Sequence, residues 1–250
     1  YRFESGVPHV MIWDMSIDRG ATALSLWTRG RGAYVYPLPS SDISASPLVL
    51  TSTSSRMTHG SAGTFDVDLT NGSGVECRSG GVNNNYTVVF KFTNPITSVD
   101  NVATSCGSVS GTETNIANET EFLVHLTGVT CNGHHVSVDI AGVHDSSNQT
   151  LDSVNATLGL LLGDTTANGI VNSSDIAQTQ SQSGQPVTAS NFREDVTVDG
   201  AIDSSDIALV QSQSGTALSS APPVAPAASP SATPASPVSK FRPRKPAGTQ

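Results

Sequence analysis

The chain has 250 residues and a formal net charge of -9, with 13% charged residues. An acidic balance of this size disfavours nucleic acid as a partner, and no apolar run approaches the roughly 18 residues needed for a membrane-spanning helix. A single fold is excluded as well, because 8 of the 14 prolines lie beyond residue 220.

Residues 1–40 hold two strand-like runs, HVMIWDMSID and ATALSLWTRGRGAYVYPL, joined at Arg19-Gly20. An isolated hairpin is marginal in water, so these runs are expected to complete a sheet whose other strands lie upstream. The pattern Thr28, Arg29, Gly30, Arg31, Gly32 and Tyr34 after the WDMSID run resembles the last blade of a BNR or sortilin-like β-propeller. With Tyr1 first and no signal peptide in front, the chain is expected to begin mid-protein, and the resemblance leaves any active site upstream. Asp14 and Asp18 are a poor carboxylate pair, since four residues along a strand separate them by about 13 Å.

Between residues 46 and 160 the runs TFDVDL, YTVVFKF, PITSVDNVAT, EFLVHLTGV, HVSVDIAGV and SVNATLGLLL alternate with turns. Phe122, Val124 and Leu126, and again Val136, Val138 and Ile140, place apolar side chains on one strand face. The expectation is a mainly β fold, an immunoglobulin-like β-sandwich. Cys106 and Cys131 flank one hairpin-like segment, and in an oxidising compartment a disulfide between them would add about 3 kcal/mol, leaving Cys77 buried or free. His134, His135, His144 and Asp145 are not expected to converge on a metal, because neighbours on a strand point to opposite faces.

Self-comparison exposes a repeat. GDTTANGIVNSSDIAQTQSQSG, from Gly163, and EDVTVDGAIDSSDIALVQSQSG, from Glu194, share their SSDIA and QSQSG blocks thirty-one residues apart. This stretch carries seven acids against the single base Arg193. Both loops set oxygen-bearing side chains at the positions a calcium loop uses, 1, 3, 5, 9 and 12, with glycine at 6 and a backbone carbonyl at 7. The first set is Asp164, Thr166, Asn168, Ile170 (by its carbonyl), Asn172 and Asp175, turning at Gly169. The second is Asp195, Thr197, Asp199, Ala201 (by its carbonyl), Asp203 and Asp206, turning at Gly200. Ser173-Ser174 and Ser204-Ser205 then start helices, with Asp175 and Asp206 in their first turns. Two acids in the first loop against four in the second predict tighter binding at the second. The few apolar side chains predict that about two Ca2+ ions contribute much of the folding free energy.

Paired loop-helix repeats with Asp rather than Glu at position 12 resemble a type I dockerin domain over residues 161–218. The resemblance implies a small α-helical, calcium-loaded module that docks on a cohesin-like or other cell-surface protein. Its contacts would come from Ser173, Ser174, Ser181 and Gln182, and by internal symmetry from Ser204, Ser205, Ser212 and Gln213. It further implies a secreted or cell-surface protein, of which these residues form a non-catalytic part. The parent is expected to be a carrier of this module, a propeller glycoside hydrolase acting on polysaccharide, or a structural or adhesive surface protein. Residues 219–250, rich in Pro, Ala and Ser, have too few large apolar side chains to order and are expected to be a disordered tail.

Overall fold

The computed structural model describes residues 12–17, 23–29, 32–37, 46–72 and 74–220. The positions Asp18, Gly30 and Arg31 and residues 221–250 lie outside these, and so do the readings placed on them.

Strands β1 (Ile12–Ile17), β2 (Ala23–Thr28) and β3 (Gly32–Pro37) form an antiparallel three-stranded sheet in chain order. Met15, Ile17 and Val35 are exposed on it.

The following residues build two larger sheets. One takes β5 (Gly63–Asp68), β4 (Leu50–His59), β7 (Tyr86–Phe92), β10 (Glu121–Thr127) and β9 (Ser108–Thr114), in that spatial order. The other takes β6 (Val75–Glu76), β12 (Thr150–Leu160), β11 (His134–Asp145) and β8 (Ile96–Thr104). The two sheets share one apolar core, with Val88, Phe90, Val124 and Leu126 from the first and Val136, Val138, Ile140 and Leu158 from the second. Period-2 alternation explains this: each pleated strand sends every other side chain inward. Cys106 and Cys131 are joined by a disulfide beside that core. Cys77 is a buried free thiol.

No linker separates this sandwich from the repeat. β12 runs into Leu161, β6 pairs in parallel with its end at Gly159 and Leu160, and Gly163 donates its amide to the Cys77 carbonyl. Val75 of β6 packs with Leu161, Val171, Val196 and Val210 in a second core, so the repeat completes its interior with a sandwich side chain. A module with so few apolar residues of its own gains buried area this way.

Helices α1 (Ser173–Gln182) and α2 (Ser204–Ser212) follow the two loops. Each begins with a reciprocal capping box, Asn172 with Asp175 and Asp203 with Asp206, which satisfies amides that a helix start leaves unpaired. The repeat units grip each other symmetrically. Ile170 bridges to Ala217 and Ala201 bridges to Pro186, while Gly215 donates to the Val171 carbonyl and Gly184 to the Ile202 carbonyl, both at 2.8 Å. Each contact maps onto its counterpart by the thirty-one-residue shift, so the units are related by an approximate twofold axis.

Candidate functional site: two acidic loops, one seated on the sandwich

The loops share a backbone path. Gly169 and Gly200 take φ of 82° and 92°, and Ala167 and Val198, two residues earlier, take 57° and 56°. Positive φ at both positions curls the chain so that its amides point at the first acid of the loop.

In the first loop Asp164 accepts from the Asn168 amide on Oδ1 at 3.0 Å and from the Gly169 amide on Oδ2 at 2.7 Å. Asp175 accepts on Oδ1 from the Thr166 amide and hydroxyl, at 3.0 and 2.8 Å, and on Oδ2 from the Asn172 amide. Asn168 accepts on Oδ1 from the Ile170 amide, and Asn172 on Oδ1 from the amide and hydroxyl of Ser174. Asp164 and Asp175 are fully buried. Burial raises the Asp164 carboxyl above its ordinary range, with a contribution from nearby Asp175, although the Gly169 and Asn168 amides pull the other way.

The second loop repeats this with one change. Asp206 accepts from the Thr197 amide and hydroxyl on Oδ1 and from the Asp203 amide on Oδ2. Asp199 accepts from the Ala201 amide, and Asp203 from the amide and hydroxyl of Ser205. Burial raises Asp206, and nearby Asp195 adds to this. Hydrogen bonds from Ser205 lower Asp203.

Asp195 is where the loops differ. Its Oδ2 accepts from the Gly200 amide at 2.9 Å and also meets Nδ1 of His59, on β4, at 2.8 Å. Its Oδ1 is buried with no hydrogen-bond partner. His59 is fully buried too, and its Nε2 meets NH1 of Arg78 at 3.1 Å. Arg78 is paired with Glu76 at 2.7 Å, both fully buried, and donates to the carbonyls of Ser55 and Phe65. Phe192, just before the loop, stacks on Phe65 with ring centroids 5.3 Å apart and lies under the Arg78 guanidinium. His59, Glu76 and Arg78 carry no local sequence signal for this role, since His59 meets Asp195 from more than a hundred residues away and Arg78 and Glu76 act only through His59.

Sequence reading placed twelve candidate ligands on the two loops, and the structure puts them on two matching curls. It does not gather their acids: among the described residues, no group of three or more His, Cys, Asp or Glu side chains converges as a metal cluster. Asp199 and Asp203 are exposed, each turned onto a following backbone amide. Of the contact positions, Ser173, Ser174 and Ser181, and Ser204, Ser205 and Ser212, are exposed. Gln182 and Gln213 are half-buried. Gln182 accepts from Asn191 within the repeat, and Gln213 from Asn132 of the sandwich. His144 binds Asp100 and Thr150, and the Asp145 carboxylate accepts from Asn94 and the Ser147 and Gln149 amides, so neither joins His134 or His135.

No helix among the described residues is long and apolar enough to cross a membrane. No protein-family model, curated protein or solved structure gives a significant match to the chain.

Proposed function

We propose that residues 161–218 form a dockerin-like module that binds about two Ca2+ ions and attaches an exported protein to a cohesin-like partner. One observation carries the calcium reading: the Asp195 carboxylate is fully buried with one oxygen unpartnered. Leaving a buried carboxylate oxygen without a donor or cation is costly, and a hard divalent cation is the partner such an oxygen fits. The matching curls, the threonine hydroxyl at position 3, the Asn or Asp side chains at positions 5 and 9 and the helix capped by position 9 support the same ion in both loops. Calcium takes many oxygen ligands besides carboxylates, including main-chain carbonyls, and position 9 often acts through water, so a tight cluster of acids is not required.

The exposed serines of α1 and α2 support the docking role. The face of Ser173, Ser174, Ser181 and Gln182 is the better candidate, because Gln213 of the counterpart face is bonded to Asn132 of the sandwich, whereas Gln182 is bonded only within the repeat. The antiparallel two-sheet core supports an immunoglobulin-like reading of residues 46–160 as a spacer, and the disulfide between Cys106 and Cys131 supports export. No catalytic role is assigned to these residues.

Calorimetric titration of Ca2+ into the chelator-treated full chain tests this directly. About two saturable ions per chain and recovery of a surface protein that chelator releases are expected. Absence of calcium binding by the folded chain removes the reading, and hydrolysis of polysaccharide by this chain alone removes its non-catalytic part.

A further inference from the structure

We propose that the second loop is a composite site, in which His59 of the sandwich is the positioning residue for Asp195, so that a Ca2+ ion in this loop also locks the repeat onto the sandwich. This rests on the calcium reading above and adds to it which element orients the ligand and what binding does to the fold.

The hydrogen-bond chain has a fixed direction. A guanidinium has only donors, so Arg78 donates to His59 Nε2, the ring proton sits on Nδ1, and His59 donates to Asp195 Oδ2. Arg78 is neutralised by Glu76, so the charge of Asp195 has no cation within this network. In the first loop Asp164 engages both oxygens with amides of its own loop. In the second, His59 shares Oδ2 with Gly200, and Oδ1 is left over. A donor behind a ligating carboxylate is the arrangement by which protein groups outside the ligand set orient a ligand and raise metal affinity.

Main-chain contacts flank the same carboxylate. The Ser79 amide donates to the Val196 carbonyl at 2.7 Å and the Gly60 amide to the Val198 carbonyl at 3.1 Å, so sandwich donors hold loop carbonyls on the stretch that a bound ion would order. Gly60 packs so closely that a Cβ there would lie 2.1 Å from the Asp199 carbonyl oxygen. An ion that binds the ordered loop better than the loosened one must, by linkage, favour the docked interface to the same degree.

The test uses the chelator-treated full chain with Ca2+ as the probe. An Asp164→Asn background isolates the second site. There His59→Leu is expected to weaken binding about 10- to 100-fold, and His59→Gln, which keeps both a donor and an acceptor, to recover part of the loss. In the unmodified chain, Ca2+ is expected to slow hydrogen exchange at the Gly60 and Ser79 amides. If the unmodified chain takes up no Ca2+, the calcium reading itself falls and the composite site with it. If it takes up Ca2+ but exchange at both amides is unchanged, or a folded His59→Leu binds as tightly as its parent, the composite site alone is overturned. Should His59→Leu fail to fold, exchange in the unmodified chain decides.

Discussion

Arg193, the single basic residue between Gly163 and Gly215, donates from its guanidinium to the Val75 carbonyl on β6 at 2.9 Å. Two further bonds run to the Thr165 and Asp164 carbonyls of the first loop, at 3.1 and 2.9 Å. One side chain therefore ties the first loop, the start of the second unit and the sandwich together. It also places a positive charge beside an acidic stretch that has no other base.

Replacing Arg193 by Ala is expected to cost about 2–4 kcal/mol, since three charge-assisted bonds are lost and their carbonyl acceptors are left without that donor. Urea denaturation of the two chains checks this. A change below about 0.5 kcal/mol would show that the carbonyls are readily resolvated and the joint is open.

Gly60 makes a sharper claim about how closely the sandwich meets the second loop. Its φ of 45° and the Asp199 carbonyl oxygen against its missing side chain both oppose a methyl group. Gly72 has a comparable φ of 69° with open space around it, so Gly72→Ala reports backbone strain alone, about 1–2 kcal/mol. Gly60→Ala is expected to lose a further 1–3 kcal/mol or so through the clash, measured as the difference between the two variants in denaturant midpoints. Equal losses would place the loop farther from the sandwich.

Much of the sandwich was legible in the sequence because its signal is local. Tyr86, Val88, Phe90 and Phe92 alternate inward within one run, and the run YTVVFKF coincides with β7. β4 was missed, since it reads LTSTSSRMTH and its inward positions Thr53, Ser55, Met57 and His59 are mostly polar. The loops and helix starts were legible because the repeat prints them twice. The partner of Asp195 was not: a histidine in a hydroxyl-rich strand acquires its role only when β4 and β5 pair, Arg78 is buried beside them and the second unit folds back. Long-range polar contacts leave no periodic trace in the chain.

Glu76 gives the buried network a pH signature. Burial pushes its carboxyl up, but the Arg78 charge and hydrogen bonds more than offset this, holding it below the ordinary value of 4.5. A lowered folded-state value means stability that is present above pH 4.5 and is lost as the pH falls through the folded value. Glu121, where hydrogen bonds from Arg56 and its neighbours outweigh burial, contributes with the same sign. Glu194 and Asp164, raised chiefly by burial, contribute with the opposite sign as the pH rises. Glu76→Gln is expected to lose about 3–5 kcal/mol at pH 7 by leaving Arg78 charged and unpaired, and to flatten the acid limb of stability against pH. An unchanged acid limb would assign that limb to other carboxylates.

Cys77 turns the sandwich–repeat joint into something a reagent can read. Its thiol is fully buried, its Sγ faces the Arg193 carbonyl at 3.5 Å, and burial pushes its pKa up to about 11. At pH 8 only about one thiol in a thousand is then ionised, and the thiolate is the reactive form. With Cys106 and Cys131 in their disulfide, a thiol reagent is expected to label nothing quickly in the native chain and one group in guanidinium. The slow native rate measures how often the repeat lifts from β6, because labelling requires that local opening. If Ca2+ locks the second loop onto the sandwich, adding the ion slows native labelling and chelator restores it, whereas rapid labelling insensitive to both would mean that the joint stands open in solution.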